Sequence, residues 1–521
     1  LNRWRVARWV GALVGTSLFV AAPWIWQPLA PLVWAGVAIG LALVSGRHGW
    51  RAELTVLAAA VVAITLAFHW TPHALAGAMR ASPAIGFLFA LPIILWDACR
   101  LALPFWVAGR TTSDPRVAWL PAALTAVVAE RFLPSVFPWK LGYSQLDWLV
   151  TVQTAALVGA EGPTFTLFAT SGALLTVASL FGWPRSRERM PALAWGALGV
   201  TVINLLYGTA ALRTMQSDMA KSPTIRLALV QADPDDDDGI EALRRMTRDV
   251  CATDSPPDLV VWPECSGGSY EEGLETFADE ATVFRRSRDP HRGLRPFPEP
   301  PCPILLGGRI YRGFRERPDA MFQAALLVDT DERLTGSYLK RHLMPFGEYV
   351  PWADVVPELR LYFPMEASFD RGDRATVIVA GKARIGPLLC YEDMVPSAAA
   401  SMVEQSANVL VALVHGAAFA NPLTLEQHRL LAQSRAIENR RLLARSSSTG
   451  ETCVIDATGR ITARLPLGQE GVLVADVPLL DGTTLAHRLG MTFPLVCGIA
   501  LVGLASGKLR KMAGLAGVAA A

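Results

Sequence analysis

The sequence predicts two folds in one chain: a membrane α-helical bundle of about eight spans and, placed before the last span, a layered α/β domain. Three observations predict this. The 521 residues are 52% hydrophobic and only 18% charged, with a mean hydropathy of +0.31, too apolar for an ordinary soluble protein of this length. The apolar residues gather into span-length runs before residue 219 and again near the C-terminus. Between them, residues 220–485 alternate short β-rich runs with helical patterns, the order of a layered α/β domain rather than a β-sandwich.

A helix crossing lipid needs about 20 mostly apolar residues, because hydrocarbon satisfies no bare backbone group. Such runs lie near 9–25, 29–45, 53–69, 84–105, 117–130, 150–182, 192–213 and 490–506, the fifth short and the sixth long. Basic residues orient them, because short cytoplasmic loops collect Lys and Arg. Arg3, Arg5 and Arg8, then Arg47 and Arg51, Arg110 and Arg116, Arg185, Arg187 and Arg189, and finally Lys508, Arg510 and Lys511 all fall on one side of such a bundle. The loop from Pro23 to Pro28 is uncharged, and the loop after the third run carries only Arg80. The expected organisation is therefore a bundle of about seven spans over 1–219, an extracytoplasmic domain over 220–485, and a last span with a basic cytoplasmic tail over 486–521. The first run lacks a convincing cleavage site and reads as a retained anchor.

Details inside the bundle fit lipid surroundings. Trp24, Trp26, Trp139 and Trp148 near span ends suit an interfacial belt. Asp97, Arg100 and Glu161 are costly in hydrocarbon and are expected to face the bundle interior, Asp97 and Arg100 paired at helical spacing.

In the polar region, strands are expected at Ile225–Gln231, Leu259–Trp262, Ile304–Gly307, Ala324–Val328, Thr376–Val379, Ile385–Cys390, Val409–Val414, Leu442–Ser446, Cys453–Asp456 and Val472–Val477. Helices are expected at Gly239–Ala252 and Leu425–Asn439, and a surface loop at 283–302. The formal net charge of +2 gives no reason to expect nucleic acid as a partner. The seven cysteines show no zinc spacing, so neither metal nor cofactor is expected. Cys251, Cys265, Cys302 and Cys453 lie on the oxidising side, where a disulfide is open to them in any pairing. His415 and His428 read as single structural histidines without partners.

Three positions carry the chemistry. Glu264 follows an apolar strand in VVWPECSGG, where a carboxylate has no packing purpose. Lys340 opens the polar-to-aromatic stretch KRHLMPFGEYVP, which contains Glu348. Cys390 ends an apolar strand in IGPLLCYED, ahead of Tyr391 and Glu392. Taken singly, each has a bland reading: a small core cysteine, a solvated lysine, a surface carboxylate. Together they suit covalent catalysis, with a base that takes a thiol proton and a cation that holds an oxyanion.

WPE, YxKRHLxPFGEYVP and CYE, in this order, resemble the carbon-nitrogen hydrolase (nitrilase) superfamily. The longer PFGEYVP form, joined to membrane spans on both sides, resembles its membrane-bound branch, the apolipoprotein N-acyltransferases. FPWKLGYSQ at 137–145 and the stretch from Gln427 through STGETCVIDATGR add to the likeness, which is strongest from 258 to 465. The resemblance implies a nitrilase-type αββα sandwich in a bacterial inner membrane protein with its catalytic domain on the periplasmic side. It implies Glu264 as general base, Lys340 as oxyanion stabiliser and Cys390 as nucleophile. Glu348 would position Lys340 and the base, and Tyr391 and Glu392 would shape the pocket. The implied partners are a phospholipid acyl donor and a diacylglyceryl lipoprotein acceptor at the bilayer, acylated through a Cys390 thioester.

Two segments depart from the family pattern. QADPDDDDG from Gln231 replaces a Gln- and Trp-containing loop, and its acidic run reads as a solvated turn or helix cap more readily than as a cation site. HGAAFANP from His415 replaces a Trp-Phe-Gly segment. These keep two other readings open: a membrane-tethered amidase using water as second nucleophile, and a transport- or conjugation-associated scaffold.

Overall fold

The computed structural model describes residues 3–45, 49–182, 190–267, 269–271, 300–314, 317–331, 333–363, 369–416 and 421–507. Most of the expected loop at 283–302, together with Arg47, Arg185, Arg187, Arg189, Lys508, Arg510 and Lys511, lies outside the described residues. The chain divides into two compact units, one of 1–73, 83–214 and 484–521, the other of 74–82 and 215–483.

The first unit is helical. It begins with α1 (Arg3–Ile25), α2 (Leu32–Ser45) and α3 (Trp50–Ala67), and, after α4 (Thr71–Ala78), most of which belongs to the second unit, continues with α5 (Pro83–Thr111) and α6 (Trp119–Phe132). The single span expected at 150–182 is instead α7 (Leu149–Val152), α8 (Ala155–Val158) and α9 (Gly162–Leu180). The cause is local: Gly159 takes φ 93°, and Pro163 sits in the first turn of α9, where its missing N–H is harmless. Then comes α10 (Ala192–Lys221). Among the described residues four helices are long and apolar enough to cross a membrane, α3, α5, α9 and α10, and Trp9–Ile25, Leu32–Ser45, Leu149–Val158 and Thr492–Ala505 are shorter apolar helices.

Charges inside this unit are paired. Lys140 Nζ lies 2.8 Å from Glu161 Oε1 and donates to the Glu130 carbonyl at 3.1 Å. The Glu130 carboxylate accepts from Leu141 N and Thr164 Oγ1, each at 2.8 Å. Arg100 Nε is 3.6 Å from Asp97 Oδ1, and its guanidinium lies 4.4 Å from the centre of the Trp139 ring. Asp97, Arg100, Lys140 and Glu161 are all buried.

The second unit holds β1 (Thr224–Gln231), α11 (Gly239–Cys251), β2 (Leu259–Val261), β3 (Ser269–Glu271), β4 (Ile304–Phe314), β5 (Arg317–Val328) and β6 (Leu334–Leu339). It continues with β7 (Ile378–Ala380), β8 (Ala383–Leu389), α12 (Pro396–Glu404), β9 (Val409–Val414), α13 (Pro422–Asn439), β10 (Leu443–Ser447), β11 (Thr452–Ile455), β12 (Ile461–Leu465) and β13 (Gly471–Pro478). The helices α14 (Leu485–Leu489) and α15 (Thr492–Ala505) return to the first unit.

Two sheets form, in the orders β13-β1-β2-β4-β5-β6, with β3 beside β4, and β12-β11-β10-β9-β8-β7. Side-chain alternation shows how they stack. Leu227 and Leu229 of β1 join the core shared with β8, β9 and β10, while Ala228 and Val230 face Ala242 and Leu243 of α11. The second sheet is backed by Ala398 and Met402 of α12 and by Ala432 and Ala436 of α13. Strands apolar on both faces are those of a sheet covered on both sides, hence the helix, sheet, sheet, helix order. Strands β3, β6 and β12 and helix α12 were not expected from sequence, and Cys390 lies just beyond β8 rather than within the strand. Cys251 at the end of α11 and Cys302 ahead of β4 form the disulfide; Cys265 and Cys453 are free.

Candidate active site

Each of the three sequence-predicted residues is delivered by the C-terminal end of a strand. After β2, Trp262 is locked by its backbone N–H to Leu305 O (2.9 Å) and by Nε1 to Thr247 Oγ1 (2.9 Å), and the chain turns through Pro263 into Glu264. Gly307 on β4 makes that turn possible: a Cβ there would meet Glu264 Cα at 2.6 Å. Lys340 follows β6 and is fixed on both sides, its N–H donating to Gln323 O and its carbonyl accepting from Gly372 N, each at 2.8 Å. Cys390 opens a short 3-10 turn, Cys390–Met394, with φ 45°, a left-handed conformation that costs a side-chain-bearing residue energy and is held only by its surroundings.

The side chains converge. Lys340 Nζ is 3.0 Å from Glu264 Oε1 and 2.6 Å from Glu348 Oε1, and Lys340 is fully buried. Glu348 Oε2 accepts from Met344 N at 2.7 Å, which fixes the second carboxylate. Cys390 is 8% exposed, buried yet not sealed. Burial, then the charges of Glu264 and Glu348, push its thiol well above the ordinary value against the opposing pull of Lys340. Burial opposes the charge on Lys340, but Glu264 and Glu348 outweigh it and hold the ammonium charged well above its usual range. Burial, helped by Glu264, also raises Glu348 despite Lys340.

Glu392 occupies a different place from the pocket wall expected of it. It is fully buried, and its Oε1 accepts from Tyr338 Oη (2.7 Å), Arg341 N (2.9 Å) and His342 N (3.0 Å), while Oε2 accepts from Leu389 N (3.1 Å). It therefore ties the Cys390 turn to the segment that carries Lys340. Burial opposes its charge, but the His342 and Tyr338 bonds prevail and its carboxyl sits below the usual range. Tyr391 is buried beside Tyr349, and burial first, then that neighbour, raises its hydroxyl.

Sequence reasoning missed the support behind the Cys390 turn. Asp393 is fully buried and holds His428 Nε2 at 2.6 Å and Arg445 Nε at 3.1 Å, so His428 is not without a partner. His415 is not alone either, its Nε2 lying 3.2 Å from Asp235. Asp238 precedes α11 without a side-chain capping bond, so the acidic run is a turn rather than a cap. The available signal was the acid three residues beyond Cys390, in a strand-end context where nothing polar should be buried unpaired.

The domain built on these two covered sheets is of the carbon-nitrogen hydrolase class: the carbon-nitrogen hydrolase family model matches residues 226–486. A second family model, the apolipoprotein N-acyltransferase N-terminal domain, matches residues 11–174. An apolipoprotein N-acyltransferase of Azotobacter vinelandii is 30% identical over 513 residues, covering 94% of this chain and 92% of the relative. One from Geobacter metallireducens is 30% identical over 376 residues, covering 70% of this chain and 69% of the relative. One from Pseudomonas syringae pv. tomato is 28% identical over 513 residues, covering 94% and 95%. The chain belongs to the apolipoprotein N-acyltransferase family: it is a membrane protein and an acyltransferase with a nitrilase-type domain.

Proposed function

We propose that the chain moves an acyl group from phospholipid to the N-terminal amine of a diacylglyceryl-cysteine lipoprotein through a thioester on Cys390. One observation carries the residue roles: a buried ammonium, Lys340, held 3.0 Å from Glu264 and 2.6 Å from Glu348, in the field of the Cys390 thiol on its strained turn.

Glu264 takes the thiol proton as the sulfur attacks the ester carbonyl. Lys340 stabilises the tetrahedral oxyanion. The intermediate collapses with the C–O bond breaking, and Glu264 returns the proton to the departing lysophospholipid alkoxide. The lipoprotein amine then attacks the thioester, Glu264 takes its proton, and amide formation expels the Cys390 thiolate, which is reprotonated. The raised thiol pKa supports the need for a base, since little thiolate stands free at neutral pH. Glu348 and Glu392 position the cation and the nucleophile, and Tyr391 lies beside the nucleophile within its turn.

The bundle is proposed to cross the bacterial inner membrane about eight times, counting the shorter apolar helices as spans. Residues 1–219, 220–485 and 486–521 are proposed as bundle, periplasmic catalytic domain and final span with tail. Supporting this side are the basic-residue bias and the Cys251–Cys302 disulfide, which suits an oxidising compartment.

Intact mass of the detergent-purified protein after incubation with dipalmitoyl phospholipid tests the reading. One palmitoyl group is gained by the wild type and not by Cys390→Ala, and the mass reverts when a diacylglyceryl-cysteine peptide is added and becomes an amide. Acyl gain in Cys390→Ala, or release only as free fatty acid with no amide formed, would sink it.

A further inference from the structure

The two segments that depart from the family pattern meet. His415 Nε2 lies 3.2 Å from Asp235 Oδ2, and one donor atom each from Asp233, Asp235 and His415 falls within 4.8 Å of the other two. His415 is the first residue after β9, and its own main-chain carbonyl accepts from Cys390 Sγ at 3.9 Å. The following N–H, of Gly416, donates to Ser448 Oγ at 2.9 Å. One residue therefore touches the acidic turn with its imidazole and the sulfur with its backbone. The acidic turn also acts electrostatically on Cys265, the neighbour of Glu264.

We propose that the His415–Asp235 ion pair is a latch for the nucleophile: while His415 is charged, the pair holds the His415 carbonyl against Cys390 and keeps the sulfur in its resting orientation. His415 is on this view a positioning residue, and the proposal rests on the reading of Cys390 as nucleophile. The charged groups facing the imidazole are Asp235 and Asp233 from the turn after β1 and Glu264 from the turn after β2. Burial works against the imidazolium, but the Asp235 hydrogen bond and then these carboxylates outweigh it, so His415 stays protonated above the ordinary histidine value. The sign follows. A raised histidine keeps its latch fully below the ordinary value and loses it as pH climbs through the higher folded value. The His415–Asp235 ion pair thus makes thioester formation fall on the alkaline side.

The test is the rate of acyl-enzyme formation against pH, using the full chain in detergent, dipalmitoyl phosphatidylglycerol or phosphatidylethanolamine as donor, and intact mass as readout. His415→Gln is expected to lower the neutral-pH rate about tenfold, the scale of one charge-assisted hydrogen bond, and to remove the alkaline fall. Asp235→Asn shifts that fall to lower pH, and the double variant loses no more than either single one, because the two act as a unit. His415→Lys, charged throughout, restores much of the rate and abolishes the fall. Profiles of Asp235→Asn and His415→Gln that overlay the wild type, or losses that multiply in the double variant, overturn the latch. If His415→Gln fails to fold, Asp235→Asn and Asp235→Glu carry the same decision, the latter retaining the wild-type profile. An adduct persisting in Cys390→Ala would instead overturn the underlying nucleophile assignment.

Discussion

Two lysines among the described residues, Lys140 and Lys340, are buried beside carboxylates, and their surroundings differ. Lys140 in the helical unit has Glu161 at 2.8 Å and a backbone carbonyl at 3.1 Å, while the nearby Glu130 carboxylate is occupied by a backbone N–H and a threonine hydroxyl. Lys340 in the α/β unit has two carboxylates of its own, at 3.0 and 2.6 Å, and a thiol whose ionisation it influences. Both cations are hidden from water. The difference lies in what surrounds the pair: closed partners around Lys140 make a fastener, whereas Lys340 acts on a cysteine held on a strained turn, the setting in which the proposed mechanism gives its charge an oxyanion to meet.

Four substitutions break or sharpen that contrast. Cys390→Ala should eliminate the acyl adduct by intact mass while leaving the protein folded, since a single sulfur atom is removed and Glu392 still clamps the turn. Lys140→Met should destabilise the protein by about 3–5 kcal/mol, because it strands Glu161 as an uncompensated buried charge. Denaturant titration would show it, and Lys140→Met with Glu161→Gln should regain most of the loss; equal loss in the double variant would refute the fastener reading. Lys340→Met should slow thioester formation by about 10²–10³-fold, the scale of one oxyanion donor. Glu348→Gln should have the smallest kinetic effect, about tenfold in kcat with KM little changed, as expected for a group acting through Lys340.

A pH measurement sharpens the contrast from the stability side. Asp393 has its charge opposed by burial but favoured more strongly by His428 and Arg445, so its carboxyl lies below the ordinary value. A depressed carboxylate contributes stability above the ordinary aspartate value and loses it as pH falls through the lower folded one. Asp393→Asn should therefore be less stable than wild type at neutral pH, with the gap closing in acid. A gap that stays constant down to strongly acidic pH would contradict it.

The positions of Glu264 and Cys390 at strand ends, and the layered fold, were legible because short, strongly apolar runs end at residues with no packing purpose. The strand before Glu264 and the strand before Cys390 are buried on both faces, and such runs announce themselves in sequence. Strand β6 was not legible: LTGSYL carries one glycine and three hydroxyl-bearing residues and is only partly buried, so its pattern is weak although it delivers Lys340. The break in 150–182 was signalled by Gly159, Gly162 and Pro163, but apolar composition on both sides masked it. The pairing of His428 with Asp393 and of His415 with Asp235 joins residues far apart in sequence, and no local pattern encodes such partners.

The four bonds accepted by Glu392 have a temporal consequence for a two-substrate reaction. One carboxylate clamps the Cys390 turn to the backbone that follows Tyr338, so the frame carrying Cys390 and Lys340 is fixed by the chain's own bonds. In the proposed two-step transfer, the loaded enzyme would wait between first product and second substrate on a backbone frame that neither visitor has to assemble.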